Sequence, residues 1–301
     1  MSILITGSGG MLGSYINFGL KPSKSELDYK DYDDLCRYIE KNEISQIIHC
    51  AAKVGGVSAN SKYPYDFFME NALINLNILR ACAEYKLNDT ILLLSICVFP
   101  NYDDKPITES DLHTAEPHAT NLGYGYAKRM LDIGARCVYN QYGVKVKRIV
   151  PCNMYGMYDN FDLENSHVIP GLIHKCFVAK QKREDFIIWG SGEAEREFVY
   201  AADVADIIKN MCYRQNDTSD LMIISPKNTV RIKHIVQLIS EYMEFSGNII
   251  FDKTKPEGAK RRSSDNSVFK SYFPEYEFTS IEQGIKETVN YFISNYPNIR
   301  I

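Results

Sequence analysis

Three glycines, at positions 7, 10 and 13, follow directly on the apolar run Ile3–Thr6, and they constrain the fold of this chain more than any other feature. A short apolar strand, a glycine turn and then a helical pattern is the order of a βα unit in a parallel sheet. The first glycine permits the tight turn. The second lets the backbone approach a pyrophosphate, and the third lets helix and strand pack closely. The N–H groups that open the helix then face the phosphates. The segment predicts a dinucleotide site made by Gly7, Ser8, Gly9, Gly10, Met11, Leu12 and Gly13.

The alternation continues beyond this unit. Gln46–Cys50, Thr90–Leu94 and Val144–Val150 read as buried strands rich in Ile, Leu and Val. Asp31–Lys41, Tyr65–Tyr85 and Tyr124–Tyr142 carry apolar residues at the three- and four-residue spacing of helices. Strand and helix in alternation place the chain in the α/β class, with a doubly wound parallel sheet of Rossmann type. Ligands of such sheets lie beyond the carboxyl ends of the strands, so chemistry is sought in the residues that follow each strand. Past about residue 160 the pattern loosens. His167–Lys180, Ala202–Tyr213 and Ile232–Phe245 read as helices, Phe186–Trp189 as a short strand, and Lys253–Arg262 as a basic interruption. The expected organisation is a dinucleotide-binding domain over 1–160, completed by parts of 190–230, and a smaller C-terminal substrate-binding lobe mainly over 161–301.

At 301 residues, 45% hydrophobic and 24% charged, the chain has the make-up of an ordinary globular protein. Its formal charge of -4, with both signs interspersed, gives no reason to expect a nucleic acid or an anionic membrane as partner. No apolar run approaches the roughly 18–20 residues that span a bilayer, and Met1–Thr6 lacks the regions of a signal peptide. Eight cysteines lie scattered without a CxxC pair, which reads as reduced thiols in a cytoplasmic protein with no metal site.

The segment after Gly13 is unusually short. About a dozen residues separate it from Ser25–Asp28, whereas a full helix and strand need about 20. The first helix must be short and the second strand reduced or absent. No acid stands at the expected ribose position, while Lys21 and Lys24 lie nearby and could meet a 2′-phosphate. The expectation is NADP(H) rather than NAD.

Tyr124 and Lys128 are four residues apart and share a helix face. An ammonium beside a phenol favours the phenolate, so the pair can trade a proton near neutral pH. YxxxK alone recurs by chance. Ser95, at the carboxyl end of the third strand, strengthens it. Tyr126 is a poorer choice, since its partner four residues on is Met130.

On these residues the chain resembles the short-chain dehydrogenase/reductase superfamily. The resemblance implies that Tyr124 is the general acid, that Lys128 orients the nicotinamide ribose, and that Ser95 holds the substrate oxygen. Further segments are similar to one family in particular, the GDP-L-fucose synthases: the AAKVGG stretch at 51–56 with Asn60, Ser95–Pro100, Pro151–Gly156, Asp159–Phe161, Ser166–Pro170, Trp189–Gly192, Arg196–Phe198 and Lys255–Gly258. That family acts on GDP-4-keto-6-deoxy-D-mannose, and the positions of its proton-transferring cysteine and histidine match Cys97 and His167. A thiol and an imidazole both titrate close enough to neutrality to exchange protons. Cys97 lies two residues beyond Ser95, so in extended chain the two side chains point the same way.

The resemblance also implies that Lys24, Ala51, Leu94, Ser95, Lys128, Pro151, Asn153, Met154 and His167 line the cofactor. It implies that Asn153, Lys175, Trp189, Arg196, Glu257 and Arg262 contact the sugar nucleotide, Arg196 offering a guanidinium fork to its diphosphate. A homodimer through the helices at Tyr65–Tyr85 and Tyr124–Tyr142 is implied as well. Four positions depart from the family pattern. Ile96 replaces a serine, Phe99 a tyrosine, Gly123 a proline and Cys152 a threonine. The first two remove polar contacts beside the sugar and point toward a related GDP-linked keto sugar as an alternative substrate. The short segment after Gly13 also resembles dTDP-4-dehydrorhamnose reductases, which only reduce. A nucleotide-binding regulator without turnover is the remaining alternative, against which Ser95, Tyr124 and Lys128 stand.

Overall fold

The structure is a computed structural model that describes residues 2–102, 105–214, 218–255 and 260–301. The chain opens with strand β1 (Ser2–Thr6) and a five-residue helix α1 (Met11–Tyr15). Helix α2 (Tyr32–Lys41) follows, its first turn capped by the Asp31 side chain, which accepts from the Asp34 N–H. Next come β2 (Ile44–His49), α3 (Val57–Lys62), α4 (Pro64–Glu84) and β3 (Thr90–Leu93). Helix α5 (Leu122–Tyr142) ends at Gly143, whose φ of 70° is the left-handed conformation glycine adopts most readily, and leads into β4 (Val146–Pro151).

The second half holds β5 (Asn153–Tyr155), α6 (Val168–Lys182), β6 (Phe186–Trp189), β7 (Glu195–Tyr200), α7 (Ala201–Tyr213) and β8 (Leu221–Ile224). It closes with β9 (Thr229–Arg231), α8 (Ile232–Tyr242), β10 (Ile249–Asp252), β11 (Arg261–Arg262), α9 (Ser267–Tyr272) and α10 (Ile281–Asn295). Helix α8 stops three residues before the periodicity predicts. Glu244 has a φ of 51° and the Phe245 N–H turns back to the Ser240 carbonyl.

Five parallel strands form the main sheet in the order β1-β2-β3-β4-β8. The second strand of a full dinucleotide fold is reduced to one parallel bridge. Leu20 pairs with Leu4, giving its N–H to the Ile3 carbonyl and taking the Ile5 N–H. Helices α2, α4 and α5 cover one face through Leu35, Ile78, Cys82 and Leu131. Helices α1, α7 and α9 cover the other through Leu12, Val204, Ile208 and Phe269. This is the doubly wound parallel sheet that the alternation predicts.

A separate core joins α6, α8 and α10 to two small sheets, one of β6 with β10 and one of β5, β7, β9 and β11. Ile173, Phe186, Ile235 and Phe292 are fully buried there. Arg261 and Arg262, at the end of the basic stretch, form β11, which pairs with β7. Among the described residues no helix is long and apolar enough to cross a membrane, and the eight cysteines are free thiols.

Candidate active site

The carboxyl ends of β1 to β4 open into a cavity of about 2740 Å³ that runs on between the two cores. A drug-sized ligand fills roughly 300–1,000 Å³, so there is room for a dinucleotide and a second large ligand side by side. The glycine turn forms one wall. Gly7 has a φ of 67°, and a Cβ there would stand 2.7 Å from the Ala51 Cα. A Cβ on Gly13 would stand 2.3 Å from the Gly7 carbonyl oxygen, so strand and helix approach as only glycine allows. A Cβ on Gly9 meets nothing within 4 Å, because that residue faces the open cradle. The expected lining residues Ser8, Gly10, Met11, Leu12, Lys24, Ala51, Leu94, Pro151 and Met154 all border this space.

The ribose end is set by the Leu20 bridge. The loop that follows begins at Lys21, four residues earlier than the spacing implies, and Lys21, Ser23 and Lys24 line the cavity. Glu26 is also there, but its carboxylate is turned back onto the N–H and hydroxyl of Ser23. A carboxylate so occupied leaves the lysines to meet whatever sits beyond the strand end. These residues fit a dinucleotide carrying a 2′-phosphate.

Ser95 leaves β3 extended, at φ -155° and ψ 148°. Residues 96–98 then form a 3₁₀ turn, and the Cys97 N–H donates to Ser95 Oγ over 3.3 Å. The extended-chain argument for Cys97 is therefore wrong. A turn, not strand alternation, keeps Ser95 and Cys97 together on the cavity wall. Tyr124 and Lys128 reach the same wall from α5. Burial pushes the Tyr124 phenol above its ordinary value, the nearby Cys97 adds to the rise, and a Ser95 hydrogen bond opposes it. Lys128 does not contribute. Its Nζ is buried and donates to the Leu93 carbonyl over 2.8 Å, and burial pulls the ammonium down to about 8. The expected lowering of the phenol by the lysine is absent, and the phenol is held protonated. Tyr126 faces outward and donates to Glu116.

His167 stands at the N-terminus of α6 and also lines the cavity. Its Nδ1 lies 3.8 Å from Oδ1 of the buried Asp159. Burial works to lower the imidazole, but Asp159 outweighs it and the net shift is upward, with Arg300 opposing. The backbone locks this loop to its neighbour, since the Gly56 N–H donates to the Asn165 carbonyl.

On the other core, Trp189 is 60% exposed and Lys175 Nζ lies 4.9 Å from its ring centroid. Burial lowers that ammonium. Arg196 on β7 lines the cavity and donates through Nη1 to the Glu195 carbonyl. Asn153 lines it too, with Nδ2 given to the Glu197 carbonyl. Arg262, expected to contact the sugar nucleotide, borders the space and gives its Nη2 to the carbonyls of Ile96 and Phe99. Glu257 lies outside the described residues.

Comparison with known proteins decides the family. The NAD dependent epimerase/dehydratase family matches residues 17–223. A GDP-L-fucose synthase from Dictyostelium discoideum is 37% identical over 99% of this chain and 97% of its own length. The crystal structure of a GDP-L-fucose synthetase from Naegleria fowleri bound to NADP superposes with a TM-score of 0.91 at 34% identity, covering 100% of this chain and 95% of that one. The chain belongs to the GDP-L-fucose synthase family. It is therefore an enzyme of the epimerase/dehydratase class. A GDP-L-colitose synthase from Yersinia pseudotuberculosis is 33% identical over 99% of this chain and 100% of its own.

Of the departures from the family pattern, Phe99 is fully buried in the core under α5, while Ile96, 4% exposed, packs against the same core and also borders the cavity. Gly123 has a packing cause. A Cβ there would lie 2.1 Å from the Pro64 carbonyl oxygen, where α5 crosses the start of α4. Sequence reasoning missed three groups at the site. Asp159 sits in a matched motif and was legible as a carboxylate eight residues before His167. Arg129, next to Lys128, is buried at 6% exposure and donates through Nε to the Val98 carbonyl. Arg300 lines the cavity because the chain end packs back, with the Phe161 N–H on the Arg300 carbonyl, and no sequence signal announces that.

Proposed function

We propose that this enzyme converts GDP-4-keto-6-deoxy-D-mannose to GDP-L-fucose with NADPH, by epimerisation at C3 and C5 and reduction at C4. One observation carries the reading: Ser95, Cys97, Tyr124, Lys128 and His167 all border a single cavity large enough for both ligands. Residues 1–160, completed by parts of 190–230, hold the dinucleotide in this reading, and 161–301 mainly hold the sugar nucleotide.

A carbonyl at C4 makes the protons on C3 and C5 acidic. Cys97 and His167, which come from different elements, exchange those protons. The upward shift of His167 beside Asp159 keeps its imidazole charged nearer to neutral pH, which suits a group that returns a proton. Bound NADPH supplies the hydride for C4. Tyr124, kept protonated by burial, gives the proton to the oxygen that Ser95 holds. Lys128 stands ready for the ribose. Lys21 and Lys24 hold the 2′-phosphate, Arg196 and Lys175 the GDP phosphates, with Trp189, Asn153 and Glu257 completing the sugar-nucleotide contacts.

Helices α4 and α5 expose Met69, Leu73, Leu76, Ile133 and Tyr139. A homodimer that buries this face accounts for so many apolar side chains on one surface.

The test is to mix enzyme, ketosugar and NADPH in deuterated water, following nicotinamide absorbance and deuterium uptake. Cys97→Ser is expected to block uptake with NADPH binding intact, and Tyr124→Phe to stop reduction while uptake continues. Unchanged uptake in Cys97→Ser, or wild-type reduction in Tyr124→Phe, removes the named roles. Turnover of a different GDP-linked keto sugar instead would favour the alternative substrate, to which the GDP-L-colitose synthase likeness lends weight. Tight NADPH binding without oxidation by any of these sugars would favour a regulator.

A further inference from the structure

We propose that Arg129 and Arg262 clamp the turn that carries Cys97 from two sides, as positioning residues for the thiol; this rests on the reading that Cys97 exchanges a substrate proton. The turn spans only residues 96–98 and has just two backbone hydrogen bonds of its own, Val98 N–H to Ser95 O and Phe99 N–H to Ile96 O. Its carbonyls meet arginines. Arg129, from α5, takes Val98 O at 2.6 Å. Arg262, from β11, takes Ile96 O at 2.8 Å and Phe99 O at 3.3 Å. Three of the four carbonyls from 96 to 99 are thus held by guanidinium groups that arrive from different cores of the molecule.

Neither arginine is optimised for its own hydrogen bonding. Nη2 of Arg129 and Nε of Arg262 are buried without a hydrogen-bond partner among the described residues. Two large cations are held in strained accounting so that one three-residue turn keeps a single shape. The placement of Arg262 adds a link. β11 pairs with β7 in a register that sets Arg262 opposite Arg196. The strand pair that carries the expected diphosphate ligand on one strand therefore grips the Cys97 turn from the other. A group that must meet a carbon-bound proton tolerates little displacement, and about 1 Å of misplacement costs on the order of 10²-fold in rate.

The experiment compares Arg262→Met, Arg262→Lys, Arg129→Met and Arg129→Lys with the parent enzyme in two assays. The first follows alkylation of Cys97 by iodoacetamide in the absence of sugar nucleotide, read by peptide mass spectrometry, with the other seven cysteines as internal controls. The second measures kcat and KM for deuterium uptake into GDP-4-keto-6-deoxy-D-mannose. The clamp predicts a several-fold change in Cys97 alkylation alone, and a fall in exchange kcat of about 10²-fold in the methionine variants. KM stays within about twofold, and the lysine variants recover part of the rate. A raised KM with kcat and alkylation unchanged would make Arg262 a phosphate ligand and overturn the proposal. Where a methionine variant fails to fold by circular dichroism, a lysine variant with parental alkylation and exchange kcat overturns it equally. If Cys97→Ser itself retains exchange, the catalytic reading fails while the alkylation arm still decides the clamp.

Discussion

His49 gives a prediction whose size follows from the structure. The residue ends β2 and is fully buried, with Nδ1 2.9 Å from Thr6 Oγ1 and Nε2 3.0 Å from Asn75 Oδ1. The hydrogen-bond directions are settled by the neighbours. Asn75 gives its amide nitrogen to the Ala127 carbonyl, so its oxygen faces the histidine and Nε2 must donate. Thr6 Oγ1 accepts the Ala51 N–H and spends its own proton on Nδ1. The ring is neutral and every partner is satisfied. Burial, joined by the Lys128 charge, pulls the imidazole from 6.5 to about 3, against the Asn75 bond. Between those values the unfolded chain binds a proton that the folded one refuses, so stability falls as pH drops below 6.5. From pH 7.5 to pH 5 the loss from this one group is about 2 kcal/mol, at 1.36 kcal/mol per unit. The result hardly depends on whether the folded value is 3 or 4. His49→Gln keeps a donor toward Asn75 and removes the titration. Guanidinium unfolding at both pH values, followed by far-ultraviolet circular dichroism, should show the wild type losing about 2 kcal/mol more than the variant. The other five histidines are common to both and cancel. Equal losses in the two proteins would refute the neutral, buried histidine.

Gly13→Ala forces a Cβ to 2.3 Å from the Gly7 carbonyl, so NADPH affinity by fluorescence titration should fall more than about tenfold. A parental Kd would show that the turn yields without harm. Asp159→Asn removes the carboxylate that raises His167. The basic limb of kcat/KM for deuterium uptake should therefore move to lower pH, and an unmoved limb would detach Asp159 from the imidazole. Leu73→Glu on the exposed face of α4 should turn a dimer into a monomer in sedimentation, with circular dichroism unchanged. A variant that sediments as the parent does would place any dimer contact elsewhere.

The Rossmann half was legible because its strands are apolar and separated by helices with clear periodicity. In the second half the same periodicity marked α6, α7 and α8, and an apolar run marked β6, but the remaining strands were not read. β8 is four residues, Leu221–Ile224, and its place beside β4 is a long-range pairing that no local pattern encodes. Helix α10 buries Ile285, Val289 and Phe292 at helical spacing and was open to detection, but its signal is diluted by Glu, Lys and Asn on the outer face. The same distinction holds at the site. Gly13, Ser95, Tyr124 and Lys128 carry spacing signatures, whereas the Arg262 contact with the Cys97 turn joins residues 166 apart in sequence. The sign of the Tyr124 shift was also beyond spacing, since i,i+4 places Lys128 on the same helix face and says nothing about where its ammonium ends.

That ammonium ties the site together. Lys128 is buried, and its charge is surrounded by groups held neutral: His49, pulled to about 3, and Cys50, pushed by burial to about 12. Burial dominates at Lys128 and lowers the ammonium. A buried cation with no carboxylate against it destabilises the fold by itself. Filling this position with a methionine would remove that cost and leave the packing almost intact. The neutral histidine, the neutral thiol and the Leu93 carbonyl make sense as a setting in which a positive charge is kept available for hydroxyl groups of a ligand rather than cancelled by the protein. Stability is given up at Lys128, and the protonated phenol one turn earlier on α5 is left to act as an acid rather than as the phenolate that a close lysine would have made of it.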